Sequence, residues 1–250
     1  MIIEIIIGLS ISYLLLFLTS IYLKNNSIVD IFWGIGFLQV TVHSFILNKN
    51  SIGNFIILSL IIIWALRISY YIFSKKKLNN IEDKRYAKWR STWKYFYTRS
   101  FFQVFLLQEM LLLIIATPII LINQNQVEIS TVLIIGSFIS IIGLMFESIS
   151  DYQLKNFIKH KKAKNNSIMK EGLWKYSRHP NYFGESIFWL GISIIGSTIS
   201  IWSFVSYIMI TFLLRYVSGV PMAEENYNDN LEFQNYKKNT PALIPNFLKK

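Results

Sequence analysis

The sequence predicts an all-α polytopic transmembrane bundle of about seven spans. Three observations predict it. Apolar stretches near 20 residues recur along the 250-residue chain, each long enough to cross a hydrocarbon core of about 30 Å as a helix. Charged residues make up 16% of the chain, against about 25% in a soluble domain. The basic residues sit in the gaps between apolar runs, as they do in cytoplasmic loops. Backbone groups cannot stay unpaired in lipid, so the segments are helices or a closed barrel. Their nearly continuous hydrophobicity lacks the alternation of barrel strands.

The first apolar segment runs from about Ile2 to Leu23 and the second from Ile31 to Leu47, the latter holding Gln39 and His43. The third covers Ile52 to Phe73, with Arg67 near its end. Segment four, Phe101 to Ile122, and segment five, Ile129 to Ile149, flank the short polar link Asn123 to Gln126. The run Glu185 to Val217 would be about 50 Å long as one helix, too long for one upright span. Gly196, Ser197 and Ser200 mark its middle, which predicts two spans joined by a tight turn, with a single long tilted helix as the alternative. The tail from Pro221 is polar and is interrupted by Pro241 and Pro245.

Charge sets the expected orientation. The link 74–100 carries Lys75, Lys76, Lys77, Lys84, Arg85, Lys88, Arg90, Lys94 and Arg99 against Glu82 and Asp83. The link 151–181 carries Lys155, Lys159, Lys161, Lys162, Lys164, Lys170, Lys175 and Arg178. The link between segments four and five has no Lys or Arg. Both basic links are therefore expected in the cytoplasm, with the N-terminus outside and the C-terminal tail (221–250) cytoplasmic after seven spans. Within the first link, Glu82 to Arg90 has the pattern of a short amphipathic helix lying on the membrane. Trp89, Trp93, Tyr95, Phe96, Tyr97 and Trp174 fall at expected interfaces, as an aromatic belt does. No internal repeat is evident, and one domain over 1–250 is expected, in a multi-pass protein of a bacterial inner (plasma) membrane.

Several functions are disfavoured. The net charge of +11 serves loop orientation more simply than nucleic-acid binding. The absence of cysteine excludes disulfides, thiolate catalysis and cysteine-ligated metal centres. The first apolar stretch has Glu4, no basic n-region and no small-residue cleavage site, so it reads as a span and not a removed signal peptide. GxGxxG, Walker, HExxH and GxSxG motifs are absent.

The densest polar constellation is Gly172 to Glu185, GLWKYSRHPNYFGE, immediately before an apolar run. Pro180 biases His179 away from the helical region, and Asn181 is expected to cap a helix starting at Tyr182 or Phe183. Arg178 offers a bidentate anion contact; the alternative is a loop anchored to headgroups by Arg178 and Lys175, with His179 bonded to backbone. A second set, Glu147, Ser148, Ser150, Asp151, Gln153 and Lys155, closes segment five. Glu147 and Asp151 share a helix face, and a carboxylate there must be paired, protonated or solvated. The alternative places Asp151 in water with Lys155. Metal binding by these carboxylates with His179 has no motif spacing behind it, and no metal site is expected. Asp30 is a candidate helix cap, His43 a structural histidine, and Gln108 and Glu109 point to different helix faces. Glu224, Glu225, Tyr227 and Tyr236 either fold back under the bundle or belong to an exposed tail.

These segments resemble a known membrane family. DIFWGIGF (Asp30 to Phe37), EDKRYAKW (Glu82 to Trp89), GLWKYSRHPNYFGE, LLRYVSGVP (Leu213 to Pro221) and TPALIP (Thr240 to Pro245), with Phe146 to Leu154, resemble the DUF1295 proteins. That family is similar to the C-terminal part of steroid 5-alpha-reductases and, more distantly, to isoprenylcysteine carboxyl methyltransferases. The resemblance to the reductases implies seven helices, an NADPH cavity open to the cytoplasm, and hydride transfer to an enone. It implies cofactor roles for Asn181, Tyr182 and Glu185, for Asp151 on the adenosine side with Glu147 one turn earlier, and more loosely for Tyr236. The resemblance to the methyltransferases implies that Arg178, His179, Tyr182 and Glu224 hold S-adenosylmethionine. The reductases' catalytic glutamine–glutamate pair does not carry over, because Gln39 is followed by Val40 and Gln108-Glu109 lies in another helix.

The expected function is therefore a membrane NAD(P)H-dependent reductase acting on the activated double bond of a lipid-like or steroid-like molecule that enters from the bilayer. The catalytic proton donor is unassigned, with Glu109, Tyr70 and Tyr71 as candidates. The alternatives are an S-adenosylmethionine-dependent methyltransferase and a transporter or non-catalytic membrane protein. Membrane lipids are the expected surroundings; neither nucleic acid nor an obligate protein partner is implied.

Overall fold

The computed structural model describes residues 2–77, 82–161 and 168–248, apart from the side chains of 76–77 and 160–161. Lys162 and Lys164 of the second basic link lie outside the described residues, as do the side chains of Lys76, Lys77 and Lys161. The described residues are helical and contain no strand. Helices α1 (Ile2–Leu23), α2 (Ile28–Ile46) and α3 (Ile52–Lys77) come first, followed by the short α4 (Lys84–Thr92). Helix α5 (Phe96–Ser100) runs through a π-helical stretch, Phe101–Leu106, into α6 (Leu107–Ile115). The remaining helices are α7 (Thr117–Gln124), α8 (Thr131–Lys161), α9 (Pro180–Gly196), α10 (Phe204–Phe212), α11 (Val220–Glu224) and α12 (Leu231–Asn239).

Among the described residues, six helical stretches are long and apolar enough to cross a membrane: 2–23, 28–46, 52–75, 96–115, 131–159 and 201–227. Helix α9, with 17 residues, stands at the short end of the spanning range of about 17–25 residues. The apolar side chains face outward: Ile7, Ile11, Leu15 and Leu18 on α1 are exposed while Ser20, Asn54, Asn123 and Ser140 are buried. Only lipid gives such a surface a solvent, so the chain is an integral multi-pass membrane protein.

Segment four differs from its sequence reading. Its helix begins at Phe96 and is interrupted at Ala116, because Pro118 cannot donate to the ladder and instead starts a new first turn. Segment two begins three residues early, at Ile28. A short helix forms in the predicted stretch as α4, with the Asp83 side chain accepting from Arg85 N. The run Glu185 to Val217 divides as expected: α9 ends at Gly196 and α10 starts at Phe204. A side chain at 196 would meet Ser203 Oγ at 2.5 Å, so glycine permits that turn.

The chain divides into two compact units, Met1–Leu133 with Gly196–Ser203, and Ile134–Ile195 with Phe204–Lys250. In the first, the link after α3 is tied to the start of α2. Tyr86 Oη donates to Asp30 at 2.6 Å and Arg85 Nη2 at 3.2 Å. Glu82 accepts two bonds from Arg90 and one from Asn26 N. The expected capping role of Asp30 is thereby corrected: Ser27 holds the N-cap position of α2, and Asp30, inside the first turn, is a tether.

In the second unit, α8 and α9 pack backbone to backbone. Gly136, Ser140, Gly143 and Glu147 meet Gly184, Phe188, Gly191 and Ile195. Both sets follow the spacing i, i+4, i+7, i+11, one stripe on each helix. A Cβ on Gly143 would lie 2.3 Å from Phe188 N, and one on Gly184 2.5 Å from Glu147 N. Small residues allow this approach in membranes, where close packing replaces the hydrophobic driving force.

Candidate functional site

The site grows from the place where α8 outruns the bilayer. From Thr131 to Asp151 the helix rises about 30 Å, one hydrocarbon thickness. Glu147 and Asp151 are therefore near the membrane edge, and both are buried. Helix α9 starts against them. Its first residue is Pro180, and the His179 carbonyl accepts from Phe183 N at 3.1 Å. The expected capping role of Asn181 is thereby corrected: proline occupies the first helical position and His179 precedes the helix. Asn181 sits in the first turn, where its Nδ2 donates to Asp151 Oδ1 at 3.2 Å. Its Oδ1 is buried without a hydrogen-bond partner among the described residues. Glu185 follows one turn later and is buried. Asp151 is buried and not in water, as the alternative reading supposed.

The loop before α9 is held on two sides. Against α8, Trp174 Nε1 donates to Ser150 O at 3.1 Å and Leu173 N donates to Gln153 Oε1 at 3.0 Å. Gly172 has φ +61° and lies where a side chain would strike the Gln153 amide, so glycine is required both for its backbone conformation and for the contact. Against the tail, Ser177 Oγ donates to Leu243 O at 2.7 Å, Arg178 N to Pro241 O at 2.9 Å, and Asn246 N to Tyr176 O at 2.9 Å. Tyr236 Oη donates to Trp174 O, and burial raises its pKa above the ordinary range. The tail is thus folded onto the loop, which removes the exposed-extension reading.

Arg178 is the centre of this clamp. Its Nε donates to Glu224 at 2.8 Å, and its Nη1 donates to Lys237 O at 3.2 Å and to Thr240 O at 2.5 Å. Glu224 also contacts His179 Nε2 at 3.0 Å and Lys237 Nζ at 3.0 Å. Much of the guanidinium is committed to the protein itself. His179 stacks on Tyr182 with ring centroids 5.1 Å apart. Burial lowers its pKa, opposed by the bond to Glu224 and aided by the Arg178 and Arg215 cations.

A family model for proteins of unknown function matches residues 16–240. The chain belongs to the DUF1295 family. No curated protein and no solved structure matches it. The DUF1295 match spans α2 to α12, so it takes in both the acidic α8–α9 end and the clamp.

One site residue of this DUF1295 chain was not read from the sequence. Arg215 lies in the π-helical stretch Leu213–Val217 and acts electrostatically on His179. Among the described residues no carboxylate pairs with it; its guanidinium lies 5.0 Å from the Tyr216 ring centroid. A lone cation inside an apolar run was the available signal.

The proton-donor candidates belong to the first unit. Glu109 is buried and accepts from Ser10 Oγ. Tyr70 is 68% exposed, on the same outward face of α3 as Ile63 and Leu66. Tyr71 is half-buried. Gln39 donates to Gly8 O at 2.9 Å. No group of three or more potential metal-binding side chains occurs among the described residues.

Proposed function

We propose that the chain is a membrane-bound reductase whose C-terminal unit holds NAD(P)H and whose substrate is a lipid-like molecule with an activated double bond. The observation that carries this reading is the Asp151–Asn181 contact, which joins α8 and α9 where α8 leaves the bilayer. Buried carboxylates suit ribose hydroxyls, as in dinucleotide folds. Asn181 Oδ1, buried and without a described partner, suits a donor on a ligand. Arg215 is the cation best suited to the pyrophosphate, because Arg178 is engaged by Glu224 and the tail.

The cofactor, when bound, supplies hydride to the electron-poor alkene carbon. The chain's own contribution is orientation: Glu147, Asp151, Asn181 and Glu185 hold the sugar end, while the clamp fixes the His179–Tyr182 pair beside it. The resemblance of GLWKYSRHPNYFGE to the steroid reductases adds to this reading, as does the orientation expected from the two basic links, which puts them and the adjoining site on the cytoplasmic, cofactor-bearing side.

A second reading is favoured by the excess of carboxylates at the α8–α9 end. Glu147, Asp151 and Glu185 suit the cationic sulfonium and amino groups of S-adenosylmethionine. Thermal unfolding of the purified protein with NADPH, NADH or S-adenosylmethionine separates the two. Stabilisation by a reduced nicotinamide nucleotide supports reduction, and stabilisation by S-adenosylmethionine alone overturns it.

A further inference from the structure

The last described residues of the tail are fixed by the protein but left largely uncovered by it. Pro241, Ala242 and Leu243 give their carbonyls to Arg178 N and Ser177 Oγ, and Pro245 stiffens the chain just beyond them. Asn246 N donates to Tyr176 O at 2.9 Å, and Asn246 Oδ1 accepts from Leu248 N at 3.1 Å, closing a local turn. Along this ordered stretch Ile244, Phe247 and Leu248 are nonetheless 71%, 58% and 94% exposed.

Phe247 sets the level at which the turn lies. Its ring centroid is 5.1 Å from that of Tyr176 and 6.5 Å from that of Phe146 on α8. Phe146 precedes Asp151 by about 7 Å of helix rise, so it lies just inside the membrane edge. It is half-buried and occupies the strip of α8 between two others. On one side are Gly143 and Glu147, which meet α9; on the other are Ile141, Met145 and Ile149, which are exposed. Phe247 therefore packs on the flank of α8 that borders lipid, at the depth where headgroups give way to acyl chains.

Water at this turn would leave three large apolar side chains wet, and burying each is worth about 1.5–3 kcal/mol. The bilayer is the apolar medium at that depth, and aromatic and aliphatic side chains favour its boundary. Next in the sequence are Lys249 and Lys250, cations that suit anionic headgroups.

We infer that residues 244–248 are a lipid contact, in which Phe247 and Leu248 enter the boundary between headgroups and acyl chains beside α8. The bilayer then holds the far end of the tail whose nearer part closes on Arg178. The contact is independent of the cofactor reading.

The absence of cysteine lets a single thiol report the depth. Full-length Leu248→Cys carries a nitroxide label in nanodiscs of phosphatidylcholine and phosphatidylglycerol. Phe138→Cys, exposed on α8 within the span, is the lipid reference, and Lys238→Cys, exposed on α12, is the aqueous one. Power saturation compares collisions with oxygen, which concentrates in lipid, and with a nickel chelate, which stays in water. The expected label at 248 favours oxygen, as at 138, while that at 238 favours nickel. Nickel access at 248 equal to that at 238 overturns the contact. Low access to both reagents marks a turn covered by protein, a second copy included, and overturns it too. Ile244→Ser with Leu248→Ser leaves the Phe247 ring contacts in place and should speed proteolysis of the tail in nanodiscs about tenfold. An unchanged rate overturns the bilayer's hold on the tail.

Discussion

Replacing Arg178 by alanine removes three side-chain bonds at once, to Glu224, Lys237 O and Thr240 O. The Arg178 and Glu224 side chains are only 8% and 6% exposed, so the lost pair is a buried one. Removing one partner of a buried pair costs about 3–5 kcal/mol, because the other charge is left in low dielectric. Glu224 keeps His179 and the half-exposed Lys237, which places the expected loss at the lower end, about 3 kcal/mol. Arg178→Lys recovers only part of it, since an ammonium cannot span the carboxylate and both carbonyls. The assay is reversible unfolding in detergent, with limited proteolysis of the tail alongside. A cycle with Glu224→Gln should give a positive coupling, because the two residues share one contact. A change under about 0.5 kcal/mol, with the tail no more cleavable than in wild type, would refute the clamp.

Gly184→Val sets a side chain against the backbone of Glu147, forcing α8 and α9 apart; a loss of at least about 1–3 kcal/mol is expected, and wild-type stability would contradict the close seam. The lowered pKa of His179 means that the unfolded chain takes up its proton first as pH falls. Stability at this residue is therefore full above about pH 6.5 and declines from there through the lower folded value. Melting curves over that window should show the decline in wild type and a smaller one in His179→Gln, and equal slopes would refute it. The Tyr13 hydroxyl is buried without a hydrogen-bond partner among the described residues. Tyr13→Phe should thus stabilise the chain by up to about 1 kcal/mol, and a clear loss in the same unfolding assay would show that the hydroxyl has a partner.

The helices were legible because the bilayer demands long uninterrupted apolar runs, and the Gly196–Ser200 cluster in a run too long for one upright span favoured a turn over a single tilted helix. The break at Ala116 was also written in the chain, in Pro118, but the apolar run continues through it and masks the interruption. The polar residues near the α8–α9 end were legible as types: Glu147, Asp151 and Asn181 are costly groups beside a membrane helix. Their use was not. Arg178 has the chemistry of an anion ligand, and only its contact with Glu224, 46 residues away, turns it into the centre of a clamp. Arg215 was overlooked for the opposite reason, since its neighbours Leu213, Leu214 and Val217 make the stretch look like plain membrane helix.

The central claim is that the α8–α9 end holds a reduced nicotinamide nucleotide. Its most direct test is a fluorescence titration of NADPH into the purified protein, wild type against Asn181→Leu. Saturable binding to wild type, weakened about tenfold or more by loss of the amide's hydrogen bonds, is the expected result. No saturable binding to wild type, or equal binding to a folded Asn181→Leu protein, would contradict it.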